Sequence, residues 1–400
     1  MRVQFAPCGV GLGHAGRCIP IAREMQRRNA ETDVFFSTYS EAVSYVRQEG
    51  FNTIEVPAME FKVKPDGAVD FRRTAISPGP FMAPLNFLVQ VNKEIEIMKA
   101  HKPDVIVSDS RVSPIIAARM LGIPTVCMLN QFQVIIPRRN RYLRLAKFAD
   151  ASTLAIIGRV WTSAAKVIIP DFPPPHTIST GNLHIPQTYQ KKIELIGPIL
   201  PVRPEALPTK QHLRKKLGLK QKTPLIFVPL SGPLKELAYL TNLLQKIFAD
   251  LSSNFQIVIS LGHPRSHKSP VRHDNLNIFR WLPNRFDYLK ACDLVVSRAG
   301  HGTISQSICY GKPSVLIPTP NHTEQLNNAS KCVALGIAVV VHQDNMDKRT
   351  LLAAIDEVLT KTYSERAKTI QKEVATLDGL SAAIEATFKV VEGGKMCVPA

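Results

Sequence analysis

The chain's 400 residues, 45% of them hydrophobic, are ordinary for a globular protein and sufficient for two lobes with a core each. Fifty Lys and Arg against 32 Asp and Glu leave a net charge of +18, which attracts nucleic acid, anionic lipid or phosphorylated substrates; without RNP-type aromatic strands, zinc-finger spacing or a long basic helix, nucleic acid is the weakest of the three. Seven scattered cysteines without C-x-x-C spacing disfavour a zinc site and suit a reducing cytoplasm, and no apolar run reaches the ~18 residues of a membrane span.

Met1-Arg2 runs directly into VQFAP without a charged leader or a cleavage pattern, so the expected location is the cytoplasm. From there short β-branched runs alternate with helical patterns: the strand RVQFAP, a helix from about His14, DVFFST, a helix from about Ser40, and NTIEVP. A basic, proline-bearing stretch near residues 62–84 follows, then a helical stretch to about His101, the strand DVIVSD, a helix from Val112 and the strand PTVCML. Such alternation predicts βαβ units around a mainly parallel sheet.

A second series opens near residue 224 with PLIFVPL, a helix through Leu244, FQIVISL, NIFRWL, DLVVSRAG, a helix from Thr303, PSVLIP, another helix and GIAVVV. The predicted fold class is therefore α/β, with two Rossmann-like doubly wound parallel-sheet domains. IGPILPVRPEALP, residues 196–208, carries four prolines and suits a stiff connector. The expected division is 1–200 for the first domain, 201–208 for the linker and 209–375 for the second domain, with 376–400 a helix that crosses back to the first.

The loop GVGLGHAGR, residues 9–17, spells G-x-G-x-x-G with Gly11, Gly13 and Gly16. A dinucleotide site needs an acidic residue ~20 positions later to hold the ribose, and the second strand instead ends in Ser37, Thr38 and Tyr39, which weakens the NAD(P) reading. In the second half, DLVVSRAGHGTISQ places Arg298 after a strand and Gly300, His301 and Gly302 before the helix at Thr303. Free backbone N–H groups and the helix dipole make such a turn an anion site, and Arg298 adds a fork for phosphate oxygens. The alternative is that the glycines only permit a tight turn while Arg298 faces solvent.

Four elements follow one another: W-x-P-N (Trp281 to Asn284), S-R-A-G-x-G-T (Ser297 to Thr303), G-K-P (Gly311 to Pro313), and a proline-led E-Q-x-x-N-A within PTPNHTEQLNNA (Pro318 to Ala329, with Glu324 and Gln325). Their order resembles the donor-site signature of GT-B glycosyltransferases. It is similar to UDP-glycosyltransferases and to the lipid II-forming N-acetylglucosaminyltransferases with a family 28 C-terminal domain. The resemblance implies that Trp281 and Asn284 meet the base, and that Arg298 with the backbone at Gly300, Gly302 and Thr303 meets the diphosphate, His301 lying between them. Glu324 and Gln325 would read the sugar hydroxyls. Gln306 stands where the family usually has a ribose-holding glutamate, which loosens the assignment of uridine. Ser231 and Gly232 in FVPLSGPLKE stand at another strand-to-helix turn, either near the phosphates or as a plain N-cap.

The resemblance also implies that the Gly11 and Gly13 loop opens into the cleft, with His14 as the base that deprotonates the acceptor and Asp109, at the end of DVIVSD, as its partner. The implied reaction is a metal-independent inverting displacement, with no cofactor beyond the nucleotide-sugar substrate. For Asp109 a helix cap, and for His14 a packing role, remain the alternatives. Arg138, Arg139, Arg141, Arg144 and Lys147, interleaved with Tyr142, Leu143 and Leu145, suit either an anionic membrane surface or a solvated helix face; the membrane reading makes a lipid or lipid-linked acceptor natural. Competing readings are a UDP-sugar 2-epimerase-like enzyme, which would need carboxylates for elimination, and a non-catalytic nucleotide-sugar-binding accessory protein.

Overall fold

A computed structural model describes residues 1–58, 64, 82–132, 156–183, 185–232, 234–251, 254–264 and 269–396. The basic run of residues 138–147 and most of residues 62–84 lie outside the described residues.

The first lobe is built from β1 (Arg2–Pro7), α1 (Gly13–Arg28), β2 (Asp33–Thr38), α2 (Glu41–Gln48), β3 (Asn52–Glu55), α3 (Met82–His101), β4 (Val105–Asp109), α4 (Ser113–Met120), β5 (Thr125–Met128), β6 (Lys166–Ile169), α5 (Thr180–Leu183) and β7 (Ile193–Leu195). Its strands pair in the order β3-β2-β1-β4-β5-β6-β7, all parallel. In VQFAP of β1 every residue is buried, because helices cover both faces of a parallel sheet and leave no polar side for alternation. β6 and β7 escape the sequence pattern because KVII and IEL are too short to show a period.

The second lobe runs through α6 (Lys210–Lys216), β8 (Leu225–Pro229), α7 (Leu234–Ala249), β9 (Gln256–Ser260), β10 (Val271–His273), β11 (Leu276–Phe279), α8 (Arg285–Ala291), β12 (Leu294–Ser297), α9 (His301–Cys309), β13 (Ser314–Leu316), α10 (Thr323–Ala334), β14 (Ala338–Val340), α11 (Lys348–Val358), α12 (Lys361–Glu373) and α13 (Gly379–Met396). The sheet order is β10-β11-β9-β8-β12-β13-β14, parallel except for β10, an exposed edge strand that pairs antiparallel with β11. Both lobes are thus doubly wound α/β sheets whose strand order reverses beside the first strand, at β1/β4 and at β8/β12. Crevices for ligands open at such switch points, beyond the carboxyl ends of the strands.

Around the connector, Ile196 and Ile199 join the core of the first lobe and Leu200 that of the second. The last helix, α13, returns to the first lobe, where Ala383, Ile384 and Val391 pack into the core beside α1. Burial of Ile384 and Val391 there contributes about 1.5–3 kcal/mol each. The crossing is tight, for a Cβ on Gly379 would lie 2.1 Å from the carbonyl oxygen of Gly197, so no side chain fits at that position.

The lobes touch on both flanks of the cleft. Tyr45 of α2 meets Trp281 edge-on with ring centroids 5.4 Å apart. On the other flank Asn130 donates to Glu324, Asn327 donates to Asn182 at 2.8 Å, and Asp171 lies 3.2 Å from His301. No helix among the described residues is long and apolar enough to cross a membrane.

Candidate active site

β1 and β4 are neighbours in register, with Pro7 opposite Asp109, so the loops after both strands leave the sheet at the same switch point. Gly11 takes φ +67°, a left-handed conformation that glycine adopts without strain, and turns the chain into α1. His14 therefore sits in the first turn of α1, directly over the end of β4. Its Nδ1 lies 2.8 Å from Oδ1 of Asp109. The Asp109 side chain is fully buried, whereas the His14 side chain keeps 22% of its surface exposed.

Arg17, one helical turn after His14, closes on the same carboxylate. Its Nε donates to Oδ2 and its Nη2 to Oδ1, both at 2.5 Å, a bidentate fork. Burial alone would push the Asp109 carboxyl up, but the charges and hydrogen bonds of Arg17 and His14 outweigh it and hold the group well below the usual carboxylate range. An ionised carboxylate only accepts, so the shorter contact, to Asp109, calls for the ring proton on Nδ1 and leaves the Nε2 lone pair for other work, while Arg17 Nη2 stands 3.1 Å from the same Nδ1.

The turn that carries Asp109 is held from below. Ser110 takes φ +63°, a strained backbone for a residue with a side chain, and its hydroxyl donates to Asp109 Oδ1 at 3.1 Å. Ser108 Oγ ties back to the Arg111 carbonyl at 2.7 Å, and Arg111 forms a buried ion pair with Glu94 of α3. The pair is satisfied on further sides by Ser37 and Gln4, which suits a fixed platform under a site.

Across the cleft, α9 begins at His301 without a side-chain cap, so its first N–H groups point outward unclaimed by a capping side chain. A Cβ placed on Gly300 or Gly302 would meet no atom within 4 Å, so packing inside the protein does not require glycine at either position. Thr303 and Gln306 are partly exposed on α9, and Gln306 follows Gly302 by four residues, on the same helix face.

Other candidate residues have partners of their own. Arg298 is buried and donates to the Ile317 carbonyl at 3.2 Å. The His301 imidazole turns away from the helix start onto Asp171, so what His301 offers at the turn is its backbone. Trp281 packs on Tyr45 and the core of the first lobe, and the ring is partly buried there rather than laid open. Asn284 is exposed at the start of α8. Gln325 accepts from the Thr319 N–H at 2.8 Å. Ser231 follows β8, and Gly232 adopts φ +145°.

Glu324 joins the two halves. Its Oε1 accepts from Asn130, just past β5, at 2.6 Å, and its charge is felt at Arg17. The acidic residue of the second lobe thus stands beside the His14, Arg17 and Asp109 cluster. Arg17 and Asn130 are the residues that sequence reasoning missed. Arg17 stood inside the quoted loop at the i+3 position from His14, a spacing that puts both on one helix face; Asn130 carried no signal beyond following a strand. Gly262 was also missed. It takes φ +64°, and a Cβ there would lie 2.5 Å from the Leu230 carbonyl oxygen, so it lets the turn after β9 press against the one bearing Ser231. Among the described residues no group of three or more His, Cys, Asp or Glu side chains gathers as a metal site.

Two doubly wound lobes that face each other through their switch points form the GT-B architecture. Residues 233–381 match the glycosyltransferase family 28 C-terminal domain, and the chain is a glycosyltransferase. It is 27% identical to an uncharacterized glycosyltransferase of Methanosarcina mazei over 408 residues, 99% of each chain. It is 24% identical to the UDP-N-acetylglucosamine--N-acetylmuramyl-(pentapeptide) pyrophosphoryl-undecaprenol N-acetylglucosamine transferase of Lactobacillus acidophilus over 98% of this chain and 99% of that one. Among solved structures, the spinosyn rhamnosyltransferase SpnG shares the fold with a TM-score of 0.67 at 17% identity, over 96% of this chain and 99% of that one. MurG of Acinetobacter baumannii does so with a TM-score of 0.59 at 15% identity, over 97% and 99%.

Proposed function

We infer that this glycosyltransferase moves a sugar from a UDP-sugar to an acceptor hydroxyl by a single inverting displacement, with His14 as general base. The observation that carries this reading is the 2.8 Å contact of His14 Nδ1 with a buried, ionised Asp109 at the first switch point, facing Glu324 from the second lobe. Nε2 of His14 takes the acceptor's proton as the acceptor oxygen bonds to the anomeric carbon. The bond from that carbon to the diphosphate oxygen breaks, and its electron pair leaves with the nucleoside diphosphate. Asp109 stabilises the imidazolium so formed, and a base of this kind contributes on the order of 10²–10⁴ in rate.

In this reading the uncapped start of α9 and the open backbone at Gly300 and Gly302 receive the diphosphate, and Arg298 adds positive charge behind them. Glu324 and Gln325 hold the sugar, and no step calls for a metal. Gln306, on the face of Gly302, takes the place of the ribose-holding carboxylate. The net charge of +18 favours an acceptor presented at an anionic membrane surface, hence a lipid or lipid-linked acceptor on the cytoplasmic face.

The test is nucleoside diphosphate release from a panel of UDP- and other nucleotide-activated sugars, with and without lipid extract, beside the His14→Ala variant. Release that needs one donor, rises with lipid and collapses in the variant is the expected result. Undiminished release by His14→Ala excludes His14 as the base, and release unaffected by lipid excludes a lipid acceptor.

A further inference from the structure

A histidine paired with a buried carboxylate has two ways to satisfy that negative charge: the ring takes up a proton, or another cation stands by. Here the second cation is present. Arg17 sets its Nε and Nη2 at 2.5 Å from the two oxygens of Asp109, and Oδ1 is shared with His14 Nδ1 at 2.8 Å. The Arg17 side chain is only 13% exposed and Asp109 is not exposed at all, so water screens the pair little.

Other groups stand around the carboxylate. Ser110 donates a hydroxyl from the turn after β4. Cys8 after β1, Cys18 on α1 and Cys127 on β5 are thiols that burial, helped by the nearby Asp109 charge, pushes up, so they carry no charge near neutral pH. From α10, Glu324 places a second negative charge near Arg17. On the Asp109 carboxylate itself one anion and one cation are thus buried together, so the imidazole is not its only source of positive charge.

We propose that Arg17 is the positioning residue of the catalytic base: it holds Asp109 Oδ1 on His14 Nδ1 and supplies the positive charge that His14 would otherwise carry, so that the ring stays neutral with Nε2 free. The inference rests on the reading of His14 as the base. Without Arg17 the buried Asp109 charge would favour a proton on the ring before any acceptor arrives, and a protonated ring cannot accept another.

The test is ¹⁵N NMR of the His14 imidazole in the full-length protein, beside the pH profile of kcat/KM for nucleoside diphosphate release. Wild type is expected to show the neutral Nδ1–H tautomer at pH 7.5. Arg17→Met is expected to show imidazolium at that pH, and its acidic limb moves up by about one pH unit or more, because removing a cation beside Asp109 favours the protonated ring. Arg17→Gln, which can still donate hydrogen bonds but carries no charge, serves with the same expectation should the first variant not fold. Arg17→Lys keeps the charge without the fork, so the ring stays neutral while kcat falls. The double variant Arg17→Met, Asp109→Asn returns the ring to neutral. A neutral ring and an unmoved limb in Arg17→Met, or in Arg17→Gln, overturn the proposal. The NMR signature does not depend on turnover, so failure of the base reading in His14→Ala is told apart from failure of this one.

Discussion

Asn130 and Glu324 meet across the cleft, the amide of the first lobe donating to the carboxylate of the second at 2.6 Å. The contact lies beside Arg17, so Glu324 stands next to the His14 and Asp109 pair. If Glu324 reads donor sugar hydroxyls, each charge-assisted hydrogen bond contributes about 1.5–3 kcal/mol, a factor of roughly 10–100 in affinity. Glu324→Ala is then expected to weaken binding of the UDP-sugar by that factor while leaving UDP itself bound as before. Titration calorimetry with both ligands checks this, and an equal loss for UDP would place Glu324 on the nucleotide instead.

Gly302 offers a prediction in which stability and activity part company. Nothing lies within 4 Å of a Cβ at that position, and the residue stands inside α9. Gly302→Ala is expected to leave the fold intact and to stabilise it by up to about 1 kcal/mol through lower chain entropy. If a diphosphate reaches the helix start, the added methyl occupies the space it needs. A raised Tm with a donor Kd at least tenfold weaker is the expected pair of results; an unchanged Kd would remove the diphosphate from this turn.

What could be read from the sequence was local. β1, β2, β4 and β12 announce themselves as apolar runs, and the glycine turns before α1 and α9 mark where strands hand over to helices. His14 and Asp109 fall 95 residues apart, and their meeting follows from the strand order, which βαβ alternation suggests. The pairings between lobes left no such trace. Asp171 with His301, Tyr45 with Trp281 and Asn130 with Glu324 each join residues whose own neighbourhoods give no hint of the partner. Trp281 is the instructive instance: its place at a strand end reads as a shelf for a base, and only the approach of α2 shows the ring resting on Tyr45. β10 was missed because VRH is exposed throughout and carries no core pattern.

Tyr45 and Trp281 therefore support a test of their own. Their rings stand 5.4 Å apart at 65°, an edge-to-face pair of the kind that contributes about 0.5–1.5 kcal/mol beyond area burial. A double-mutant cycle of Tyr45→Ala and Trp281→Ala, read by chemical denaturation, is expected to return a coupling energy in that range. If Trp281 covers the nucleotide base in addition, Trp281→Ala weakens UDP binding and Tyr45→Ala alone does so less. Additive single effects on stability would show that the contact contributes nothing to joining the lobes.

Asp171 ties acid stability to the start of α9. It accepts from the backbone N–H groups of Phe172, Ile178 and Ser179 and from the Ser179 hydroxyl, and His301 stands 3.2 Å away. Burial works to raise the carboxyl, but His301 and the Ser179 donors prevail and bring it from 3.8 to about 2. Because the folded-state value is the lower one, the unfolded chain binds the proton more readily, so this stability is present above about pH 4 and lost as pH falls through about 2. The contribution is about 2 kcal/mol. Asp171→Asn is expected to be less stable at neutral pH and to lose less than wild type between pH 5 and pH 2, by about that amount. Urea unfolding across this range measures both slopes; parallel slopes would mean that Asp171 titrates alike in the folded and unfolded chain.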